Sequence, residues 1–212
     1  MRERVAAAAR RLAEEGLVLG SAGNVSERAG ELVAVTPTGA MLERVMADDV
    51  VIVDLEGTLV EGAQAATSEI ELHLGAYRRH GAGAVVHAHP PFGTALSCVL
   101  DEVPVVHYGM LALGGSVRVA PYATFGTPEL ATVTLDALEG RAAALMANHG
   151  AITLGADADA ATETARLLEW ACAVYWRAAS LGTPRTLDDG QLQDVLDAVA
   201  ARSYGGLQGP AR

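Results

Sequence analysis

"VVHAHPPF", residues 85 to 92, decides how this chain is read. An apolar run leads into it, and Pro90 and Pro91 close it, so residues 84–88 are predicted to form a buried strand. On a strand, side chains at i and i+2 point to the same face. His87 and His89 then stand side by side at the strand's end. Two core histidines bonded to backbone would satisfy this pattern. A metal site satisfies it better, because imidazole is the commonest metal ligand and H-x-H aims two of them in one direction.

A zinc-like centre takes three or four ligands at about 2.0–2.2 Å, so a pair of histidines is not enough. The chain offers four more, His73, His80, His107 and His149. His149 sits between Asn148 and Gly150, where two predicted strands meet, and is placed to aim into a site. His80 ends a helix beside Gly81 and is expected to meet that helix's carbonyl end. His73 follows Glu69 by four residues, on the same helix face, and reads either as a partner behind the site or as plain packing. Around Glu69, Ser68 and Glu71 have the spacing of a capping box. That leaves Glu69 in the helix's first turn, where any protein favours a carboxylate, so its position alone does not make it catalytic.

Composition excludes several chemistries. The 212 residues are 50% hydrophobic with mean hydropathy +0.24, which suits one globular domain with a sizeable core. Aromatic residues make up only 4%, so alanine and valine must fill that core. A net charge of −11 argues against a nucleic-acid partner, which would need clustered basic residues. All 15 basic residues are arginine. Without lysine there is no Schiff base, no lysine-anchored pyridoxal phosphate and no Walker-type phosphate loop. Cys98 and Cys172 lie in apolar surroundings and suggest no disulfide framework, so a reducing cytoplasm is expected. Charged residues interrupt the N-terminal stretch, which does not read as a signal peptide, and no apolar run is long enough for a membrane span.

The rest of the chain reads as an α/β domain. Helices are expected over 2–16, 68–80, from the prolines through Leu100, 128–140, 157–181 and 188–202. Strands are expected at ELVAVT, VVIVD, GTLVE, AAALMA and AITLG, with SAGNVSE a loop and 109–120 ambiguous around Gly114-Gly115. Short strand-to-strand connections predict a sheet that is partly antiparallel. Among folds that use H-x-H, a cupin would carry a glutamate soon after the pair, whereas PPFGT follows here. A carbonic-anhydrase-like arrangement stays compatible on spacing alone.

The motifs SAGNVS, TPTG, TSE, VVHAHP, VHYGM, APYATFGTPEL, NHG and SYG occur in an order that resembles the class II aldolase family, nearest to its L-fuculose-1-phosphate-cleaving members. The resemblance covers nearly all of residues 1–212 as a single domain, with a tail from about 203 expected to be mobile. It implies a three-layer α/β/α fold around a largely antiparallel sheet. It implies Zn²⁺, or another divalent metal, on His87, His89 and His149, with Glu69 as ligand or catalytic carboxylate. It implies a phosphate pocket of Asn24, Thr38, Gly39 and Ser68, with Thr67 where the family usually has serine. Family members are typically homotetramers with active sites between subunits. By that likeness Tyr108 acts in a neighbour's site, and Phe125 and Tyr204 line an aldehyde pocket.

The residues agree with this at several points. The only two asparagines, Asn24 and Asn148, fall in these motifs. Gly23-Asn24 and Thr38-Gly39 can offer backbone N–H groups to an anion, and Ser68 stands where a helix begins. An aldolase without lysine must depend on a metal. The implied reaction is cleavage of a ketose 1-phosphate to dihydroxyacetone phosphate and an aldehyde, with Glu69 moving the proton. Rivals with the same fold are a 4-epimerase, disfavoured by Glu69, and a sugar-phosphate dehydratase or decarboxylase. A non-catalytic adducin-head-like interaction module would be expected to lack the zinc histidines.

Overall fold

The computed structural model describes residues 1–202. Nine strands form one sheet: β1 (Asn24–Ala29), β2 (Leu32–Val35), β3 (Val51–Asp54), β4 (Leu59–Glu61), β5 (Ala84–Ala88), β6 (Glu102–Val103), β7 (Val117–Ala120), β8 (Ala143–Met146) and β9 (Gly150–Gly155). They lie in the order β4-β3-β2-β1-β5-β9-β8-β7-β6. Only the β7–β8 pairing is parallel. β5, the strand of the histidine motif, is at the centre and buried along its whole length.

Helices cover both faces. On one face, α2 (Ile70–His80) and α4 (Pro128–Ala137) pack against Val33, Val35, Val51, Val53, Val85 and Ile152. On the other lie α1 (Arg2–Glu14), α3 (Pro91–Ser97) and α5 (Ala158–Leu181). There Val25, Ala34, Ala84 and Val86 meet the alanine-rich sides of α1 and α5. Successive strand residues thus serve opposite layers, as a pleat requires. Small side chains let these layers approach closely. Gly155 of β9 shows it, since a Cβ there would come 2.2 Å from the backbone nitrogen of Ala161 in α5. The last helix, α6 (Asp189–Ala201), begins with a capping box between Asp188 and Gln191 and buries no residue. No helix of the described residues is long and apolar enough to cross a membrane.

The architecture expected from the sequence is present, with local differences. SAGNVSE is not all loop, because Asn24 opens β1. The run NVSERA is polar yet its first four residues are buried, so hydropathy could not reveal it. The Ser68–Glu71 capping box does not form: Glu69 is the N-cap of α2 and no side chain caps the helix. His80 bonds the Leu135 carbonyl oxygen of α4 at 3.1 Å rather than its own helix end. The helix after the prolines stops at Ser97. The ambiguous 109–120 stretch is a 3₁₀ segment, Tyr108–Leu113, followed by β7.

Candidate active site

β5 and β1 pair antiparallel with Asn24 opposite His87 and Ser26 opposite Val85. Asn24, Ser26 and His87 therefore face the α2 layer, directly under Glu69 and the helix it starts. Gly23 brings the preceding loop onto β5. Its φ of +125° suits glycine, and a Cβ would stand 2.8 Å from Val18 and 2.9 Å from the His87 carbonyl oxygen. At the next pairing, the β8–β9 turn presents His149 beside the end of β5. Asn148 in that turn has φ 55°, the left-handed region that asparagine tolerates best among side-chain-bearing residues.

The three histidines converge as the sequence predicts. His87, His89 and His149 have ring centroids 4.8–5.1 Å apart and ring planes inclined by 64–80°. One ligand nitrogen from each lies within 4.8 Å of the others. His87 Nδ1 donates to the Ala151 carbonyl oxygen at 2.9 Å. In the neutral ring, Nε2 then carries a lone pair. That lone pair faces His89 Nε2 at 3.0 Å and Glu69 Oε2 at 3.2 Å. Glu69 Oε1 is 3.6 Å from His149 Nε2 and is buried without a hydrogen-bond partner. A buried carboxylate and several lone pairs aimed at one point repel each other unless a cation stands among them. This donor set, nitrogen-rich with one carboxylate, fits a divalent ion of the zinc type.

Burial alone would raise the Glu69 pKa. Its contacts with His87, the Asn24 N–H and His149 outweigh it and hold the carboxyl well below the usual range. Burial chiefly, with the charges of His87 and His149, lowers His89 to about 4. The site thus favours neutral His89 and His149 rings next to an ionised carboxylate, the forms that ligate a metal.

The cleft holding these groups measures about 400 Å³, a small-molecule volume. Asn24, Thr38, Gly39, Thr67, Ser68 and Phe125 all line it. Asn24 Nδ2 donates to Glu69 Oε2 at 3.0 Å, so its amide is only partly available to a phosphate. Tyr122, Ala22 and Ala123 also line the cleft and were not singled out in the sequence. APYATFG hinted at Tyr122, but no spacing rule distinguishes it from Phe125. Tyr108 does not line the cleft of its own chain. It is 51% exposed and stacks on His107 with centroids 4.3 Å apart. Tyr204 lies outside the described residues.

The profile of the family described as "Class II Aldolase and Adducin N-terminal domain" matches residues 3–176. The chain belongs to the class II aldolase family. Two curated relatives span almost the same length. A 5-methylthioribulose-1-phosphate/5-deoxyribulose-1-phosphate aldolase of Rhodospirillum rubrum is 38% identical over 200 residues, covering 93% of this chain and 89% of that protein. A 5-deoxy-D-ribulose 1-phosphate aldolase of Bacillus thuringiensis serovar kurstaki is 34% identical, covering 92% of each. Among solved structures, an L-fuculose 1-phosphate aldolase superposes with a TM-score of 0.89 at 32% identity, covering 94% of this chain and 95% of that one. Class II aldolases use a divalent metal, and the three-histidine group is where this member can hold one.

Proposed function

We propose that this class II aldolase cleaves a ketose 1-phosphate to dihydroxyacetone phosphate and a short aldehyde. One observation carries the reading: the Glu69 carboxylate keeps a free oxygen, Oε1, against a three-histidine metal centre in a cleft of substrate size.

His87, His89 and His149 would hold the ion, with zinc the metal best matched to them. When bound, it supplies positive charge for the substrate oxygens on which negative charge builds as the carbon–carbon bond breaks. The chain's own groups do the rest. In the synthetic direction Glu69, held ionised, takes a proton from the hydroxymethyl carbon of dihydroxyacetone phosphate. The electron pair left on that carbon forms the new bond to the aldehyde carbon. In cleavage the same electron pair receives the proton back from Glu69. The backbone at Thr38-Gly39, the hydroxyls of Thr67 and Ser68, and the remaining Asn24 N–H form the phosphate side.

The fuculose-type reading of the sequence narrows here. The relatives named for 5-deoxyribulose 1-phosphate favour an aldehyde whose far end lacks a hydroxyl. Phe125, Tyr122 and Ala22 give the cleft an apolar rim that suits it.

The aldehyde oxygen needs its own proton donor, and Tyr108 is absent from the cleft of its own chain. A neighbouring subunit would supply it, in a homotetramer with interfacial sites. Exposed aromatic groups around Tyr108 support this, since Trp170 is 45% exposed and packs edge-on to His107 at 4.8 Å. The free cysteines suit a cytoplasmic enzyme.

Release of dihydroxyacetone phosphate from a panel of ketose 1-phosphates tests the function. The panel should contain 5-deoxyribulose, 5-methylthioribulose and fuculose 1-phosphates. Turnover of at least one is expected, with the deoxy sugars ahead. No release from any member, in metal-loaded enzyme, would overturn the aldolase reading in favour of a decarboxylase or dehydratase.

A further inference from the structure

Beneath Glu69 runs a buried polar chain, of which only Asn24 enters a step above. Glu69, His73 and Tyr77 occupy successive i+4 positions along α2, while Asn24 and Ser26 alternate with Val25 on β1. Four helical residues rise about 6 Å and two strand residues about 6.6 Å, so the two rows interleave. His73 Nε2 lies 2.5 Å from Asn24 Oδ1, and His73 Nδ1 lies 2.6 Å from Ser26 Oγ. Ser26 Oγ lies 2.5 Å from the Tyr77 hydroxyl. Ser26, His73 and Tyr77 are at most 1% exposed.

The hydrogens in this chain can be assigned in one consistent direction. Asn24 turns its NH₂ to the Glu69 carboxylate, which leaves Oδ1 as the acceptor facing His73. His73 must then donate from Nε2, and its Nδ1 must accept. Ser26 donates to Nδ1 and accepts from the Tyr77 hydroxyl. Every member has one role, and Glu69 Oε2 receives the last bond. Oε1 receives none from the chain. If the Asn24 amide turned over, its oxygen would face the Glu69 carboxylate, a repulsion that no change of the His73 tautomer relieves.

We propose that His73 is a positioning residue for Glu69: by locking the Asn24 amide it fixes Oε2 and keeps Oε1 as the oxygen that carries the proton. The proposal rests on the reading of Glu69 as the proton carrier. It assigns Ser26 and Tyr77 the task of bracing the His73 ring through Nδ1, the tautomer being set by Glu69 through Asn24.

Two substitutions separate this from simple packing. His73→Gln keeps a donor toward Asn24 and an acceptor toward Ser26, whereas His73→Phe keeps the ring's bulk and loses both. Positioning predicts that His73→Phe lowers kcat about 10–100-fold with metal content little changed, and that His73→Gln recovers most of it. Packing alone predicts the reverse order. A second measurement needs no turnover. Because the chain has only two asparagines, ¹⁵N-asparagine labelling gives two side-chain amide signals, assigned with Asn148→Gly. The Asn24 signal should be protected from solvent exchange in wild type and His73→Gln, and lose protection in His73→Phe. Unchanged protection and kcat in His73→Phe would overturn the proposal. If that variant does not fold, Ser26→Ala retains the ring and must weaken the same protection and lower kcat; wild-type values of both would overturn it. Should Glu69→Gln keep full turnover while Asn24 protection still depends on His73, the proton-carrier reading fails and the positioning bond stands.

Discussion

The His87 ring donates from Nδ1 to the carbonyl oxygen of Ala151 on the neighbouring strand, at 2.9 Å. This bond decides which nitrogen faces the cleft. Since Ala88 pairs with Ala151 in the same ladder, the sheet register itself sets the direction of the metal-facing lone pair.

Metal content follows from this geometry. Purified wild-type protein should contain about one divalent ion per chain, measured by elemental analysis. His89→Ala removes a ligand without touching the strand ladder, and its metal content should drop severalfold or more. Equal content in the two proteins would sink the three-histidine assignment.

Glu69→Gln preserves shape and removes the ability to carry a proton. Cleavage should fall about 10²–10⁴-fold, while thermal unfolding still reports a folded protein. The variant should also be less stable near neutral pH, because a carboxyl whose pKa is held down in the folded chain stabilises the fold above its unfolded pKa, and the amide cannot. Near wild-type turnover with metal bound would reduce Glu69 to a charge at a helix terminus.

Acid stability should carry the signature of His73. Burial holds its imidazole at about 3 in the folded chain, against 6.5 for the free group. The unfolded chain takes up the proton first. Stability from this residue is therefore complete above pH about 6.5 and lost as pH falls toward 3, by at most about 1.4 kcal/mol per unit. Urea titrations across that range should show a shallower acid limb for His73→Gln than for wild type. Superimposable limbs would remove His73 from the account.

Gly23→Ala tests the approach of the cleft loop to β5. The added methyl meets Val18 and the His87 carbonyl oxygen inside 3 Å, at a φ that alanine rarely adopts. A loss of about 1–3 kcal/mol is expected, with reduced metal content because His87 is displaced. Unaltered stability would mean that the loop relaxes away freely.

Tyr108 can be examined by mixing subunits. Glu69→Gln and Tyr108→Phe chains, each inactive alone, should regain activity when co-assembled, since some sites then contain both groups. Mixed assemblies seen by mass spectrometry without any return of activity would exclude action across an interface.

How much of this was legible in the sequence depends on the kind of signal. His87 and His89 were readable because a period-two pattern meets a proline stop, and both consequences are local. Glu69 was visible, but its role was not, because a helix start explains a carboxylate equally well. β1 was hidden. Its inward residues Asn24 and Ser26 are polar because they face His73 and Tyr77, and hydropathy treats buried polar residues as loop. Nor could the sequence show why Ser68 fails to cap α2: it lies on the cleft wall, and Glu69 takes the cap position. The pairing of buried Glu27 with half-exposed Arg4 and the Ala158 N–H was likewise out of reach, since its partners are far apart in the chain.

The central place of β9 has a consequence for how the protein comes into being. β5 is buried on both faces and pairs on one side with β1, which precedes it, and on the other with β9, which follows much later. A nascent chain that has reached β8 holds β5 as an open strand edge, rich in valine and carrying no charge. Such an edge is a template for any other extended chain. Long-range closure of this kind is slow, and the exposed intermediate is the species that aggregates. The pairing that completes the metal centre therefore also seals the most adhesive surface of the half-made protein.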